Sequence, residues 1–542
     1  MPDQEGATWS EHRPHRPVIM TQRGLVTAAH PLAALAGSDA LRCGGHAVDA
    51  AIATNAVLAV VQPHMCGVGG DFFCLVYDAA TGRVDFLNAS GRTSRRMDRH
   101  VLTRRGLDEV PFRGGLSVTV PGCVDGWMQS WERHGRLPWP DLFDRAIEAA
   151  RDGFAVSSHL TGWIAGQRDA LADGGPLQET FLAEGGPPRP GSILRQPALA
   201  DSLELIARQG GRAFYTGTLA RRLCAGLRTV DGLLDAVDFE EHHSEWAPAI
   251  STTYRDTSVV TTGGNTQGLA TLVALNVLAG YPVGDWDRHS FERIHYSVEA
   301  LKLASTARDR VADPDFVRVP WTELLSDEYA TDLRARIDPS HARQVASPAT
   351  AGDTTAFAVA DAAGNVVSGI QSLSSPFGAG VMPPGTGVVL HNRGAGFSLD
   401  GHHPNALEPR KRPLHTLMAT MVLRGGMPVL AFGTMGGFGQ PQTHVQVITN
   451  VIDDGLTIQE AIEAPRWVLG SLSGRRPSSV LQLEPRFPRT TIEAVQRAGH
   501  AVEVVQDWAS QMGHAHGIVI DAETDVRSGG ADPRGEGCAI GH

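Results

Sequence analysis

The chain has 542 residues, 42% of them hydrophobic and 20% charged, with a net charge of -12 when histidines are neutral. That is long enough for a large multilayered core and too ordinary in composition for disorder or a fibrous repeat. No long Lys/Arg block occurs, so the footprint of a nucleic-acid binder is missing, and the local run RTSRRMDRH from Arg92 to His100 reads as a solvated loop. The opening MPDQEGATWSEHRPHRPVIM holds no apolar core of signal-peptide length, so cytoplasmic residence is expected. Six cysteines (Cys43, Cys66, Cys74, Cys123, Cys224, Cys538) are scattered without a CxxC, which fits unpaired thiols in a reducing compartment.

In chain order, HAVDAAIATNAVLAVV (His46 to Val61) is apolar nearly all round and predicts a helix buried between layers, too short to span a membrane. Asp49 and Asn55 lie inside it. QPHMCGVGGDFFCLVY then passes through glycines into a strand ending at Tyr77; with no GK[ST] following, GVGG reads as a tight turn and not a phosphate cradle. From Pro140 to about Asp338 the spacing is mostly helical, and Asp201 with Glu204 resembles a capping box. After Pro348 the pattern turns to strands: TAFAVAD, NVVSGIQSL, GVVLHN and MPVLAFGT. Phe357 and Val359 alternate with Ala356 and Ala358, so that strand is expected to be covered on both faces, as in an α/β sandwich.

Ahead of it stands AGDTT. A threonine freed at the head of a strand combines a hydroxyl nucleophile with an α-amine of pKa roughly 7.7 to 8.0 that can serve as its base. Release requires self-cleavage, in which the Thr354 hydroxyl attacks the Asp353 carbonyl, the acyl group shifts from nitrogen to oxygen, and water opens the ester. Gly352 would let the backbone bend.

Alone this signal is weak, but GGHAVDAA, VPGCVDGW, DPDFVRVP, DTTAFAVADAAGNVVS, RKRPLHTLMAT and GTMGGFGQPQTHVQVITNVIDDG follow one another as in the γ-glutamyltranspeptidase family of N-terminal-nucleophile hydrolases, from about Gly24 onward. The resemblance implies a four-layer αββα fold formed by a precursor that cleaves between Asp353 and Thr354. Its pieces would be 1–353 and 354–542, a large and a small subunit sharing one unit. By position, Thr354 is the implied nucleophile, and Ser372 stands where the family has an orienting threonine. Gly436 and Gly437 match the paired glycines whose N–H groups hold the oxyanion, and His415 and Thr416 fall on a Ser-Ser pair beside the pocket.

The recognition residues depart from the pattern. The family's carboxylate-binding arginine falls on Leu87, its ammonium-binding aspartate on Gly396, its neighbouring glutamine on Arg393 and a pocket asparagine on Ser374. Loss of the anionic clamp and gain of a cation predict a small carboxylate-bearing amide, oxamate-like or a dicarboxylic monoamide, bound by Arg393 with Arg92 as a second candidate. The wording NRGAGF and GTMGGFGQPQT is similar to the branch containing oxamate amidohydrolase and cephalosporin acylases. The short connection LDGHHPNALEPRKRP (Leu399 to Pro413) favours hydrolysis over transfer. Adjacent histidines at 242/243 and 402/403, and the alternating pair at 514/516, do not make a zinc set, so no metal or cofactor is expected. The partners expected are a small amide and the chain's own two subunits, with no nucleic acid or membrane; homo-oligomerisation is left open. A γ-glutamyltransferase with a divergent pocket and an inactive binding scaffold are the competing readings.

Overall fold

A computed structural model describes residues 14–172, 174–182, 185–347, 353–470 and 477–542. Gly352 lies outside the described residues, as does the rest of the segment 348–352.

Two seven-stranded sheets, antiparallel throughout, stack face to face. The first runs Cys538–Gly541, Leu25–Ala28, Asp353–Ala360, Val366–Ser374, Asp71–Asp78, Arg83–Ala89, Glu245–Ala247. The second runs Ile19–Thr21, Arg527–Ala531, Ala515–Ile520, Met427–Thr434, Thr420–Arg424, Thr257–Thr261, Ile250–Tyr254. Between them lies one core, to which Phe73, Ala356, Ala358 and Ile370 contribute from the first sheet and Ala419, Met421, Ala431 and Ile518 from the second. The sheets approach each other tightly at the strand Asp353–Ala360. A Cβ added to Gly433 would lie 2.8 Å from that of Ala356, so only small residues fit there. Ser368 Oγ crosses this gap to donate to the Phe432 carbonyl at 2.9 Å.

Each outer face is roofed by helices. Pro31–Arg42 and Ala47–Val61 cover the first sheet, meeting Phe357, Val359 and Val367; Gly268–Leu278, Phe291–Arg308 and Gln440–Ile452 cover the second, meeting Val259, Val422, Leu430 and Phe432. The order is helix, sheet, sheet, helix, the αββα architecture expected from the sequence, and the alternation of Phe357 and Val359 against Ala356 and Ala358 divides as predicted. Among the described residues no helix is long and apolar enough to cross a membrane.

The helix Ala47–Val61 is buried along its whole length, which explains its apolar sequence. His46 caps it: its Nδ1 accepts from Val48 N at 3.1 Å while Asp49 accepts from His46 N at 2.8 Å. Asn55 is the polar exception and is fully used. It donates to Gln371 Oε1 at 2.9 Å and accepts from Trp127 Nε1 at 2.8 Å. The following turn is tight because backbone crowds it, a Cβ on Gly69 or Gly70 falling 2.2 Å from the Val389 carbonyl oxygen or 2.5 Å from that of Ser372.

The region from Pro140 to Asp338 is mostly helical, as expected, but Ile250–Tyr254 and Thr257–Thr261 within it are strands of the second sheet, because Tyr254 and Val259 must pack beneath Gly268–Leu278. Two local expectations are corrected. Asp201 caps nothing. Its helix starts at Pro197 behind Gln196, and Asp201 instead pairs with Arg151 at 3.1 Å. GVVLHN is no sheet strand; it carries only single bridges from Leu390 to Gly69 and Val381, since it wraps the glycine turn.

Asn55→Ala would leave two buried groups, on Trp127 and Gln371, without partners. It is expected to cost about 1 to 3 kcal/mol for each, read as a lower denaturant midpoint. Asn55→Asp, which keeps the acceptor for Trp127, should cost less on that side and expose the Gln371 share.

Candidate active site

The site forms where four strands and two glycine-rich turns reach the same end of the sandwich. The pairing register of Asp353–Ala360 breaks between Asp353 and Thr355, Asp353 lying opposite Ser374 and Thr355 opposite Gln371, so Thr354 occupies the break. Thr354 is 1% exposed. On the next strand Ser372 is equally buried, and its own partner across the following strand is Asp71. Thr354, Ser372 and Asp71 thus sit at the ends of the three central, neighbouring strands of the sheet.

Ser372 Oγ accepts the backbone N–H of Ser374 at 2.7 Å and Nη2 of Arg393 at 3.2 Å. The first bond depends on an uncommon backbone conformation, Ser374 having φ of 80°, which costs a non-glycine residue energy and bends the chain back over the Ser372 hydroxyl. Arg393 is 5% exposed, not the surface arginine its type suggests. Its Nη1 donates to Thr416 Oγ1 at 3.0 Å, and its buried Nε has no hydrogen-bond partner among the described residues. Burial lowers its pKa to about 10, with Asp71 opposing, so it is charged at neutral pH.

Asp71 is the counter-charge. Its Oδ1 accepts from the amides of Gly91 at 3.2 Å and Gly122 at 3.0 Å, while Oδ2 lies 3.2 Å from His415 Nε2 and 3.6 Å from His391 Nδ1. Burial works against its ionisation, but His391, His415 and Arg393 outweigh that and hold the carboxyl well below the usual carboxylate range. His415 is pushed down to about 4, by burial first and then by Arg393, and is neutral at pH 7. His391 is lowered by burial as well, and its Nε2 lies 3.0 Å from the Thr119 carbonyl oxygen. A donor Nε2–H on each imidazole suits both contacts.

Across the sandwich, Gly436 and Gly437 follow Met427–Thr434 with φ of 130° and 50°, a turn open to glycine and strained for other residues. Neither amide donates to another described residue. Gln267, fully buried, donates through Nε2 to the carbonyls of both Thr416, at 2.5 Å, and Gly437, at 2.8 Å.

The structure therefore gathers Ser372, Arg393 and Thr416 by direct bonds, sets His415 beside them through Asp71, and places Ser374 on the turn above Ser372. Arg92 is a correction: its guanidinium is held by Asp315 at 2.7 Å, Asp313 at 3.1 Å and Glu245 at 3.3 Å and makes no contact with the Arg393 group. Leu87 is buried in the helix-side core, and Gly396 is exposed with nothing within 4 Å of an added Cβ. Among the described residues, the three side chains close enough to share an ion are His295, Glu299 and His500. Lys302 Nζ already lies 2.7 Å from Glu299, and the imidazoles bond each other at 2.9 Å. Sequence reasoning missed Asp71, His391 and Gln267. A carboxylate opening the apolar run DFFCLVY was the available signal for the first; Gln267 had none beyond its place in a glycine-rich turn.

The comparisons with known proteins bear on the family and the fold. The family model for gamma-glutamyltranspeptidase matches residues 33–542. The chain is 42% identical to a glutathione hydrolase-like YwrD proenzyme of Bacillus subtilis, covering 97% of this chain and 100% of the relative, and 36% identical to an oxamate amidohydrolase proenzyme of Klebsiella pneumoniae, covering 96% and 99%. The crystal structure of a cephalosporin acylase from Bacillus halodurans superposes with a TM-score of 0.90 at 36% identity, covering 100% of both chains. With its αββα sandwich and a threonine heading a central strand, this chain is an amidohydrolase or acyltransferase belonging to the gamma-glutamyltranspeptidase family.

Proposed function

We propose that this enzyme cuts itself between Asp353 and Thr354 and then hydrolyses the amide bond of a small carboxylate-bearing amide through an acyl-enzyme on Thr354. The observation that carries the reading is the hydroxyl pair at the strand ends: Thr354 in the register break, and Ser372 on the adjoining strand with its oxygen held by Arg393 and the Ser374 amide. After cleavage the α-amine of Thr354 takes the proton of its own hydroxyl, the Oγ1 attacks the substrate carbonyl, and the amine departs with that proton. Water then opens the ester. Ser372 orients the nucleophile, and the unengaged amides of Gly436 and Gly437 receive the oxyanion.

The buried, charged Arg393 with an unpartnered Nε supports an anionic acyl group, because a carboxylate would supply the missing acceptor. Thr416 and His415 line the same side, one bonded to Arg393 and the other set against Asp71. Hydrolysis is favoured over transfer because the connection Leu399 to Pro413 is short, and it is tied to its flanks by Asn405, which donates to the Gly396 carbonyl at 2.8 Å and accepts from Leu414 N at 2.9 Å.

N-terminal sequencing of mature protein should find a 189-residue piece beginning Thr354-Thr355-Ala356, the other piece ending at residue 353. A start at Thr355, or an active preparation without a cut, would remove Thr354 from its role. Thr354→Ala should abolish both cleavage and amidase activity with the fold kept, whereas Thr354→Ser, lacking the methyl that restrains χ1, should still cleave slowly. Ser372→Ala is expected to lower turnover roughly 10²-fold, and an unchanged rate excludes it from the site.

For specificity, Arg393→Ala should lower kcat/KM on an acidic amide roughly 10- to 100-fold and much less on its neutral isostere. Equal losses on the two would mean that Arg393 serves Ser372 alone. A wild-type preference for a γ-glutamyl anilide would replace the substrate assignment with a γ-glutamyltransferase.

A further inference from the structure

Gln267 joins two parts of the site that no strand connects. It precedes the helix Gly268–Leu278, its backbone N–H donates to the His415 carbonyl at 3.1 Å, and the preceding Thr266 forms a single bridge with His415. Both protons of its side-chain amide are used, one on the Thr416 carbonyl and one on the Gly437 carbonyl. Turning the amide over would aim an oxygen at two carbonyl oxygens, so its orientation is fixed. The two carbonyls belong to two separate segments of the proposed site. Thr416 is the residue whose hydroxyl holds Arg393 Nη1, and Gly437 belongs to the turn with the unengaged amides. A glycine turn has no side chains to pack it, so bonds to its carbonyls are what restrain it; the Gly437 carbonyl has this one from a side chain.

We infer that Gln267 is a positioning residue that sets the separation between the oxyanion-binding amides and the carboxylate-reading Arg393, and thereby selects the length of the acyl chain. This rests on the roles proposed above for Gly436, Gly437 and Arg393. If one rigid amide spans from Thr416 to Gly437, a carboxylate on Arg393 and a carbonyl oxygen on the glycine amides fit together at one spacing only. Shorter or longer acyl groups lose one contact. A residue that merely filled space there would leave the length preference alone.

The test uses a series of dicarboxylic monoamides of two, three and four carbons with processed enzyme. Gln267→Met keeps the volume and removes both donated bonds. It is expected to lower kcat about 10- to 100-fold on the best substrate with KM within about threefold, and to flatten the length profile. Gln267→Glu, able to donate one proton when protonated, should fall between Met and wild type and recover relative to wild type as pH is lowered. If Gln267→Met does not fold, the Gln267→Glu profile alone decides. A uniform fall across the series with an unchanged length preference, or wild-type behaviour, overturns the inference. Gly437→Ala separates the two layers of argument: wild-type turnover in that variant removes the oxyanion reading itself, whereas an inactive Gly437→Ala beside an unaltered Gln267→Met removes only the role of Gln267.

Discussion

Taking the Arg393 guanidinium out of water is the demand around which this end of the molecule is organised. A buried charge is tolerated only with a counter-charge and hydrogen bonds. Asp71 supplies the first, from the head of the strand Asp71–Asp78, which is apolar from Phe72 to Val76. It must itself be satisfied, and the amides of Gly91 and Gly122 do so on one oxygen while His415 and His391 flank the other. Those contacts draw together the segment after the strand Arg83–Ala89, the start of the helix Cys123–His134, the loop at His391 and the loop at His415. The glycine at 122 is required by the approach itself: a Cβ there would meet the Ala89 carbonyl oxygen at 2.2 Å.

The charge arrangement also shapes the chemistry. With Asp71 ionised, Arg393 charged and both imidazoles neutral, this cluster is close to electrically balanced. If the proposed carboxylate substrate bound here, it would add one negative charge to a balanced pair, and its binding would depend on geometry more than on raw attraction. That would favour a short, rigid anion over a flexible one, since ordering long chains costs entropy.

The sandwich was legible because its signals are local. Alternation along Phe357, Ala358 and Val359 and the apolar run from Ala47 to Val61 each state which faces are covered. The strands Ile250–Tyr254 and Thr257–Thr261 were not legible, because short β-favouring runs inside a long helical stretch are assigned only by what they pair with, here Thr420–Arg424. Thr354, the glycine pair and Arg393 were singled out from motifs, and the structure shows where each lies: Thr354 in a register break, Gly436 and Gly437 in a turn of positive φ, Arg393 buried beside Ser372. Arg92 was misjudged because a sequence does not show that three carboxylates surround a cation. Asp71 meets His391 and His415, and Gln267 meets Thr416 and Gly437, all far away along the chain, and no spacing encodes those contacts.

The strand Asp353–Ala360 lies between Leu25–Ala28 and Val366–Ser374, and the second sheet likewise combines strands from before and after it. A cut at its head would therefore sever the chain without separating the pieces, since each half completes both sheets of the other. The history of the molecule then matters. An uncut chain forms these pairings as a unimolecular process, whereas two denatured halves must first meet, at a rate set by their concentration. The cut protein would hold a structure that its own fragments regain only slowly in dilute solution, so its durability would be a matter of unfolding rate and not of equilibrium.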